Sequence, residues 1–241
     1  SVKEYLLLGL EPELDSAYSA SALQALKNAS LVVSMTAFTS VQMLEYSNFI
    51  LPIAPFSENT GTYVNAMGEW QTAYAATQPR DEAKPAWKII RALAGFMMCD
   101  DFDYKTEHQI VDELKTTVDS VTVKSEDLPG ISIKPMICNE LYRVWHMPIY
   151  RCDALVRRGQ ALQDVANDDE ACISINRATA KRLFLVEGDL TIAKQAGDTL
   201  RLPLRIDDKL SDDAVTIPSG CVGASGFGEV SAPIVLSQEA V

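Results

Sequence analysis

Three short apolar runs, at 6–10, 31–33 and 49–53, are separated by stretches whose apolar residues recur at helical spacing. That alternation constrains the chain more than any other feature. Strand, helix and strand in succession build a parallel pair, because only a long crossover brings the chain back to the same end of a sheet. The first half is therefore expected to be α/β. Helices are expected over 17–28, where Leu23 and Leu26 share a face, and over 39–46. Three strands make a poor sheet, so partner strands are expected upstream of Ser1. With no initiator Met, the chain reads as part of something longer.

Residues 54–82 show neither period and read as a long irregular stretch, of a length that in compact domains is often functional. Here Glu58, Asn59, Thr60, Thr62, Asn65 and Gln71 surround Gly61 and Gly68. Polar side chains beside glycines that permit close backbone approach suit a large polar ligand such as a pterin. An ordered loop sealing the sheet's edge is the alternative. Pro85 fits the first turn of a helix ending near 94, with Gly95 as its stop and Trp87, Ile90, Leu93 and Ala94 as its buried stripe. Thr106 with Gln109 forms a capping box for a helix through Leu114.

The stretch 116–134, rich in Thr and Ser and ending in Pro129-Gly130, reads as a linker between units at 1–115 and 135–241. Beyond it the pattern turns to β. A basic amphipathic helix is expected over 153–163, with Arg157-Arg158 forming a solvated face or contributing salt bridges, and a strand over 171–175. Asn176 can cap a helix over 178–183. Turns at Gly188-Asp189 and Gly197-Asp198 bracket a strand at 190–193. Leu200, Leu202, Leu204 and Ile206 then alternate with polar residues and Pro203, the period of a half-buried strand. With 215–217 and 234–236 these segments predict a β-rich barrel. Gly220, Gly223, Gly226 and Gly228 precede a strand rather than a helix, which favours turns over a dinucleotide fingerprint.

Composition removes several functions. The net charge is −12, so the chain lacks the basic face that nucleic acid or an anionic membrane surface requires. No apolar run is long enough to span a bilayer. The five cysteines form no CxxC pair and only His108 and His146 could join them, which argues against zinc or iron–sulfur ligation. They read instead as buried free thiols in a reducing cytoplasm.

One block is specific. Phe49-Ile50-Leu51-Pro52-Ile53-Ala54-Pro55-Phe56-Ser57-Glu58-Asn59-Thr60-Gly61-Thr62-Tyr63-Val64-Asn65, followed by Gly68-Glu69-Trp70-Gln71, resembles a segment found across the molybdopterin oxidoreductase superfamily. Lys84-Pro85-Ala86-Trp87 looks like that family's next phrase. Ile149-Tyr150-Arg151-Cys152-Asp153-Ala154-Leu155-Val156-Arg157-Arg158-Gly159-Gln160-Ala161-Leu162-Gln163 is narrower in reach. It is similar to the C-terminal region of the superfamily's representative in bacterial NADH-quinone oxidoreductase, an iron–sulfur subunit of respiratory complex I. The resemblance implies a partial Rossmann-like domain followed by a barrel of the double-psi type, like the family's pterin-dinucleotide-binding domain. It implies a structural role, with no catalytic residue and no metal or cofactor in this segment, and with iron–sulfur clusters in an N-terminal region. Glu58, Asn59, Thr60, Gly61, Thr62, Asn65 and Gln71 would form a vestigial pterin-facing loop. Ala66-Met67, where many relatives have Thr-Glu, weighs against pterin binding. The implied partners are the other peripheral-arm subunits, at the cytoplasmic face of the bacterial inner membrane, with no membrane insertion.

Overall fold

The structure, a computed structural model, describes residues 2–121, 140–165 and 171–238. The chain opens with β1 (Glu4–Leu8), followed by α1 (Pro12–Asp15) and α2 (Ser19–Lys27). Next come β2 (Leu31–Thr36), α3 (Val41–Tyr46) and β3 (Phe49–Pro52). The three strands form a parallel sheet in the order β1-β2-β3, as the crossover argument requires. Ser40 caps α3, its hydroxyl accepting from the Met43 amide at 3.0 Å. One face of the sheet is packed: Tyr5, Leu7, Val32 and Ile50 meet Leu23, Leu26, Met43 and Tyr46 from α2 and α3. On β1 the alternate residues Leu6 and Leu8 stay exposed, as does Phe49 on β3.

The stretch expected to be irregular instead contains a hairpin. β4 (Gly61–Val64) pairs antiparallel with β5 (Trp70–Ala73), opposing Thr62 to Thr72 and Tyr63 to Gln71. Turn chemistry hid it from periodicity. Asn65 Oδ1 accepts from the amides of Met67 and Glu69, and Gly68 sits at φ +82°, a backbone state that costs glycine little.

α4 (Ala86–Phe96) begins after Pro85 and runs through Gly95, which does not stop it. Of the expected stripe only Ala94 is buried; Trp87, Ile90 and Leu93 are half-buried. α5 (Glu107–Ser120) opens on the expected capping box, with Gln109 Oε1 accepting from the Thr106 amide at 3.2 Å. It continues past Leu114 through 116–120, the first part of the stretch read as a linker; 122–134 lie outside the described residues.

The second unit is a mixed sheet of seven strands: β6 (Tyr142–Val144), β7 (Ile173–Ile175), β8 (Leu190–Gln195), β9 (Asp198–Ile206), β10 (Ala214–Thr216), β11 (Ala232–Pro233) and β12 (Val235–Gln238). Their order is β11-β6-β10-β7-β9-β8-β12. The two terminal strands are consecutive in sequence with only Ile234 between them, so the chain itself bridges the gap and draws the sheet into a nearly closed barrel. Ile173, Ile175, Val215 and Ile217 are fully shielded inside it. Each contributes about 1.5–3 kcal/mol by leaving water.

Two helices accompany the barrel. The expected continuous helix over 153–163 is broken: 3₁₀ turns at Ile149–Arg151 and Val156–Arg158 precede α6 (Gln160–Val165), with Gly159 in extended backbone between. α7 (Arg177–Leu183) is capped by Asn176, whose side chain accepts from the Thr179 amide at 2.8 Å, as expected. Gly220, Gly226 and Gly228 all have positive φ and belong to turns. The reading of all five cysteines as buried does not hold: Cys172 and Cys221 are buried, Cys99 and Cys152 are exposed, and Cys138 lies outside the described residues. Position in the tertiary fold, not the apolar character of the thiol, decides which of them is covered.

Candidate functional site

In open α/β sheets, ligands bind beyond the carboxyl ends of the strands. Here that region is a cleft of about 450 Å³. Gly9 and Glu11 follow β1, Thr36 ends β2 with Phe38 just beyond it, and Ala54 and Phe56 follow β3. Asp153 and Leu155, from the segment between β6 and β7, close it from the other side.

The floor is held by an ion-pair cluster. Arg157 Nη2 donates to Glu11 Oε2 and to Asp15 Oδ1, both at 2.8 Å. Arg158 Nη2 donates to Glu11 Oε1 at 2.5 Å, and its guanidinium lies 4.6 Å from the Phe38 ring centroid. Burial by itself would raise the Glu11 carboxyl; hydrogen bonds from Arg158 and Arg157 outweigh it and hold the group below its ordinary range. Glu13 is buried beside them, accepting from the hydroxyls of Ser40 and Tyr46. Burial, followed by the charge of Glu13, pushes the Tyr46 hydroxyl up and keeps it a neutral donor.

Of the two readings of Arg157-Arg158, the ion-pair one therefore holds and the solvated helix face does not. Arg157 is buried and Arg158 is about two-thirds covered, because the 3₁₀ turn, set by Asp153 Oδ1 accepting from the Leu155 and Val156 amides, aims them inward. Helical spacing places both outside; only the break at Gly159 and the approach of α1 bring them in.

The residues singled out in the 58–71 stretch occupy the hairpin and its root. Glu58 Oε2 accepts from the Arg80 amide at 2.9 Å. Thr60 Oγ1 accepts from the Ala75 amide at 3.3 Å, and the Thr62 and Thr72 hydroxyls meet at 3.3 Å. Asn65 Nδ2 donates to Glu69 Oε2 at 2.8 Å. Asn59 ends the 3₁₀ turn Phe56–Glu58, Gly61 starts β4, and Gln71 is exposed on β5. The polar side chains of Glu58, Thr60, Thr62 and Asn65 thus hold the hairpin and its root. Of the seven, Glu58 lines the adjoining extension of the cleft, together with Arg80, Asp81 and Glu82.

A pterin dinucleotide carries a pyrophosphate, which needs cations or free backbone amides. The main cleft is lined by the carboxylates Glu11 and Asp153 and by no cationic side chain. The arginines beside it are held by Glu11 and Asp15. In the extension Arg80 is flanked by Glu58, Asp81 and Glu82. The cleft and its extension thus offer a pyrophosphate no cationic side chain clear of carboxylates.

A second buried cation organises the barrel. Arg143 donates to the carbonyls of Phe227 at 2.9 Å and Glu229 at 3.2 Å, and burial lowers it to about 10. The loop so fixed meets the first unit: the Gly226 amide donates to the Glu13 carbonyl, the Val230 amide to the Ala17 carbonyl, and Gln42 to the Ser225 hydroxyl. Sequence reasoning missed Arg143; a lone Arg in the middle of a three-residue strand gives no signal of burial. Among the described residues, no group of three or more His, Cys, Asp or Glu is placed to hold a metal ion. Among them, too, no helix is long and apolar enough to cross a membrane.

The arrangement of the parallel sheet and the barrel has a counterpart among known structures. Residues 1–96 match the family model of molybdopterin oxidoreductase. The whole chain superposes on acetylene hydratase from Pelobacter acetylenicus with a TM-score of 0.69 at 15% identity, covering 98% of this chain and 44% of that one. The first segment thus carries the molybdopterin oxidoreductase pattern, and the two units together share a fold with that hydratase. Among curated proteins, the chain is similar to one named "Putative formate dehydrogenase" in Staphylococcus aureus strain MRSA252, 36% identical over 69 residues. Its namesake in strain USA300 is 38% identical over 72 residues. These matches cover 29% of this chain and 7% of the length of those relatives.

Proposed function

We propose that this chain is a structural, non-catalytic C-terminal portion of the molybdopterin-oxidoreductase-like, iron–sulfur subunit of a bacterial NADH-quinone oxidoreductase. The complete complex transfers electrons from NADH to quinone, coupled to proton translocation. On this reading the chain holds no cofactor, and iron–sulfur clusters reside in a preceding region. The barrel is of the double-psi type, and the partners are other peripheral-arm subunits at the cytoplasmic face of the inner membrane. The observation that carries the reading is the Arg157–Arg158 clasp. The 149–163 segment, which resembles that subunit, lines the cleft with Asp153 and supplies the arginines that clasp Glu11 and, through Arg158, stack on Phe38. The test is to isolate the native full-length protein and assay it for released pterin and for molybdenum or tungsten. Co-purification with peripheral-arm subunits, without stoichiometric pterin, is the expected result.

The names of the staphylococcal relatives favour a second reading, the cofactor-cradling part of a working molybdopterin-dependent oxidoreductase such as a formate dehydrogenase. Acid release of a fluorescent oxidised pterin from the native protein, in stoichiometric amount, would establish this reading and remove the first.

A further inference from the structure

We propose that the turn between α4 and α5 is a docking knob for a neighbouring protein that presents an apolar pocket rimmed by Lys or Arg. The inference rests on the proposed function and deepens it, assigning the neighbour as another peripheral-arm subunit. Phe96, Met97 and Met98 stand consecutively in solvent, Phe96 at 85% and Met98 at 90% exposure. Scattered exposed apolar residues are ordinary, but three large ones at one tip form a patch of the kind that marks a contact surface. Two of the three are methionines, whose flexible, polarizable side chains suit such surfaces.

The tip is defined rather than frayed. The Met97 amide donates to the Leu93 carbonyl and the Cys99 amide to the Ala94 carbonyl, both at 2.9 Å. Met98 is held at φ +55°, an unfavourable state for a residue with a side chain. Beyond the apolar tip follow Asp100, Asp101 and Asp103, all exposed. Two copies meeting through this tip would bring two such carboxylate sets together, so the charge disfavours self-association. It complements a basic rim, with the apolar tip entering the pocket that rim surrounds.

Cys99 lies within the turn and is exposed, which supplies a probe site. A benzophenone maleimide is attached to Cys99 in a background carrying Cys138→Ser and Cys152→Ser, and the assembled complex is irradiated. The expected product is an adduct with a peripheral-arm subunit, mapped to a peptide that lines an apolar pocket bordered by Lys or Arg. The triple substitution Phe96→Ser, Met97→Ser, Met98→Ser should lower adduct yield at least about tenfold, the effect of losing hot-spot anchors. Changing the three aspartates to asparagine should remove most of its dependence on salt between roughly 0.05 and 0.5 M. Val222→Ser, an exposed apolar position on the barrel, should leave the yield unchanged. Co-purification with an adduct yield indifferent to the Ser substitutions overturns the knob alone. So does an adduct to a second copy of this chain. Failure of the chain to co-purify with any peripheral-arm subunit overturns the functional reading itself, and this partner with it.

Discussion

Arg157 Nη2 donates to Glu11 Oε2 at 2.8 Å, with the two side chains only 4% and 1% exposed. The contact ties the β6–β7 connection of the barrel to the segment that follows the first parallel strand. Removing Arg157 takes the ion-pair partner from Asp15 and leaves buried Glu11 to Arg158 alone. Arg157→Ala is expected to cost up to about 3–5 kcal/mol, measured as a lower urea midpoint. Replacing Glu11, Asp15, Arg157 and Arg158 together with apolar residues of similar volume should recover most of that loss. An unrecovered quadruple variant would mean that the ions contribute more than mutual compensation.

The same cluster sets an acid limit. Glu11 is held below its ordinary value of 4.5 in the folded chain. Between its folded value and 4.5 the unfolded chain binds the extra proton, so stability rises with pH there. Its contribution is fully present above pH 4.5 and is lost as pH falls through the folded value. Glu11→Gln should flatten the dependence of unfolding free energy on pH below 4.5 and leave its shape at neutral pH alone. Equilibrium denaturation from roughly pH 3 to neutrality checks this; an unchanged acid slope would place the titration on another carboxylate.

Gly220 fixes the approach of the last loop to the same segment. It sits at φ +72°, and a Cβ there would lie 2.6 Å from the Arg151 carbonyl oxygen. Backbone strain in this region costs about 1–2 kcal/mol for a residue with a side chain, and the clash with a main-chain atom adds to it. Gly220→Ala should lower the melting temperature more than Gly188→Ala, which shares a positive φ but has open space for a Cβ.

Asn65 organises the β4–β5 turn through its contacts with Met67, Glu69 and the Glu69 carboxylate. Two-stranded hairpins are marginal by themselves. Asn65→Ala is expected to speed amide hydrogen exchange at 61–73 while leaving protection in the barrel unchanged. Equal loss of protection in both units would show that the hairpin supports the global fold.

Much of this architecture was legible in the residues. Apolar runs at 31–33 and 49–53 fell on β2 and β3, Ser/Asn cap chemistry marked the start of α7, and the period-two run at 200–206 is part of β9. These signals are local: spacing selects a face, and a capping side chain reaches only three residues. The hairpin at 61–73 escaped because its strands are short and polar, so their period carries no apolar signal. Of the residues picked for a pterin-facing loop, Glu58 alone lines the cleft's extension. Several of the others make the hydrogen bonds that hold the hairpin and its root together.

The sequence by itself determined the strands at 31–33 and 49–53, the parallel sense of β1-β2-β3, the alternating strand at 200–206 and the cap that starts α7. Those follow from dihedral preference, periodicity and short-range hydrogen bonding. Only the tertiary structure decided that Arg157 and Arg158 turn inward and that Arg143 anchors the loop at 227–229. It also decided that the strand-end cleft is lined by carboxylates. The reason is physical: a charge can stay buried only where partners distant in sequence converge on it, and no local pattern encodes that convergence.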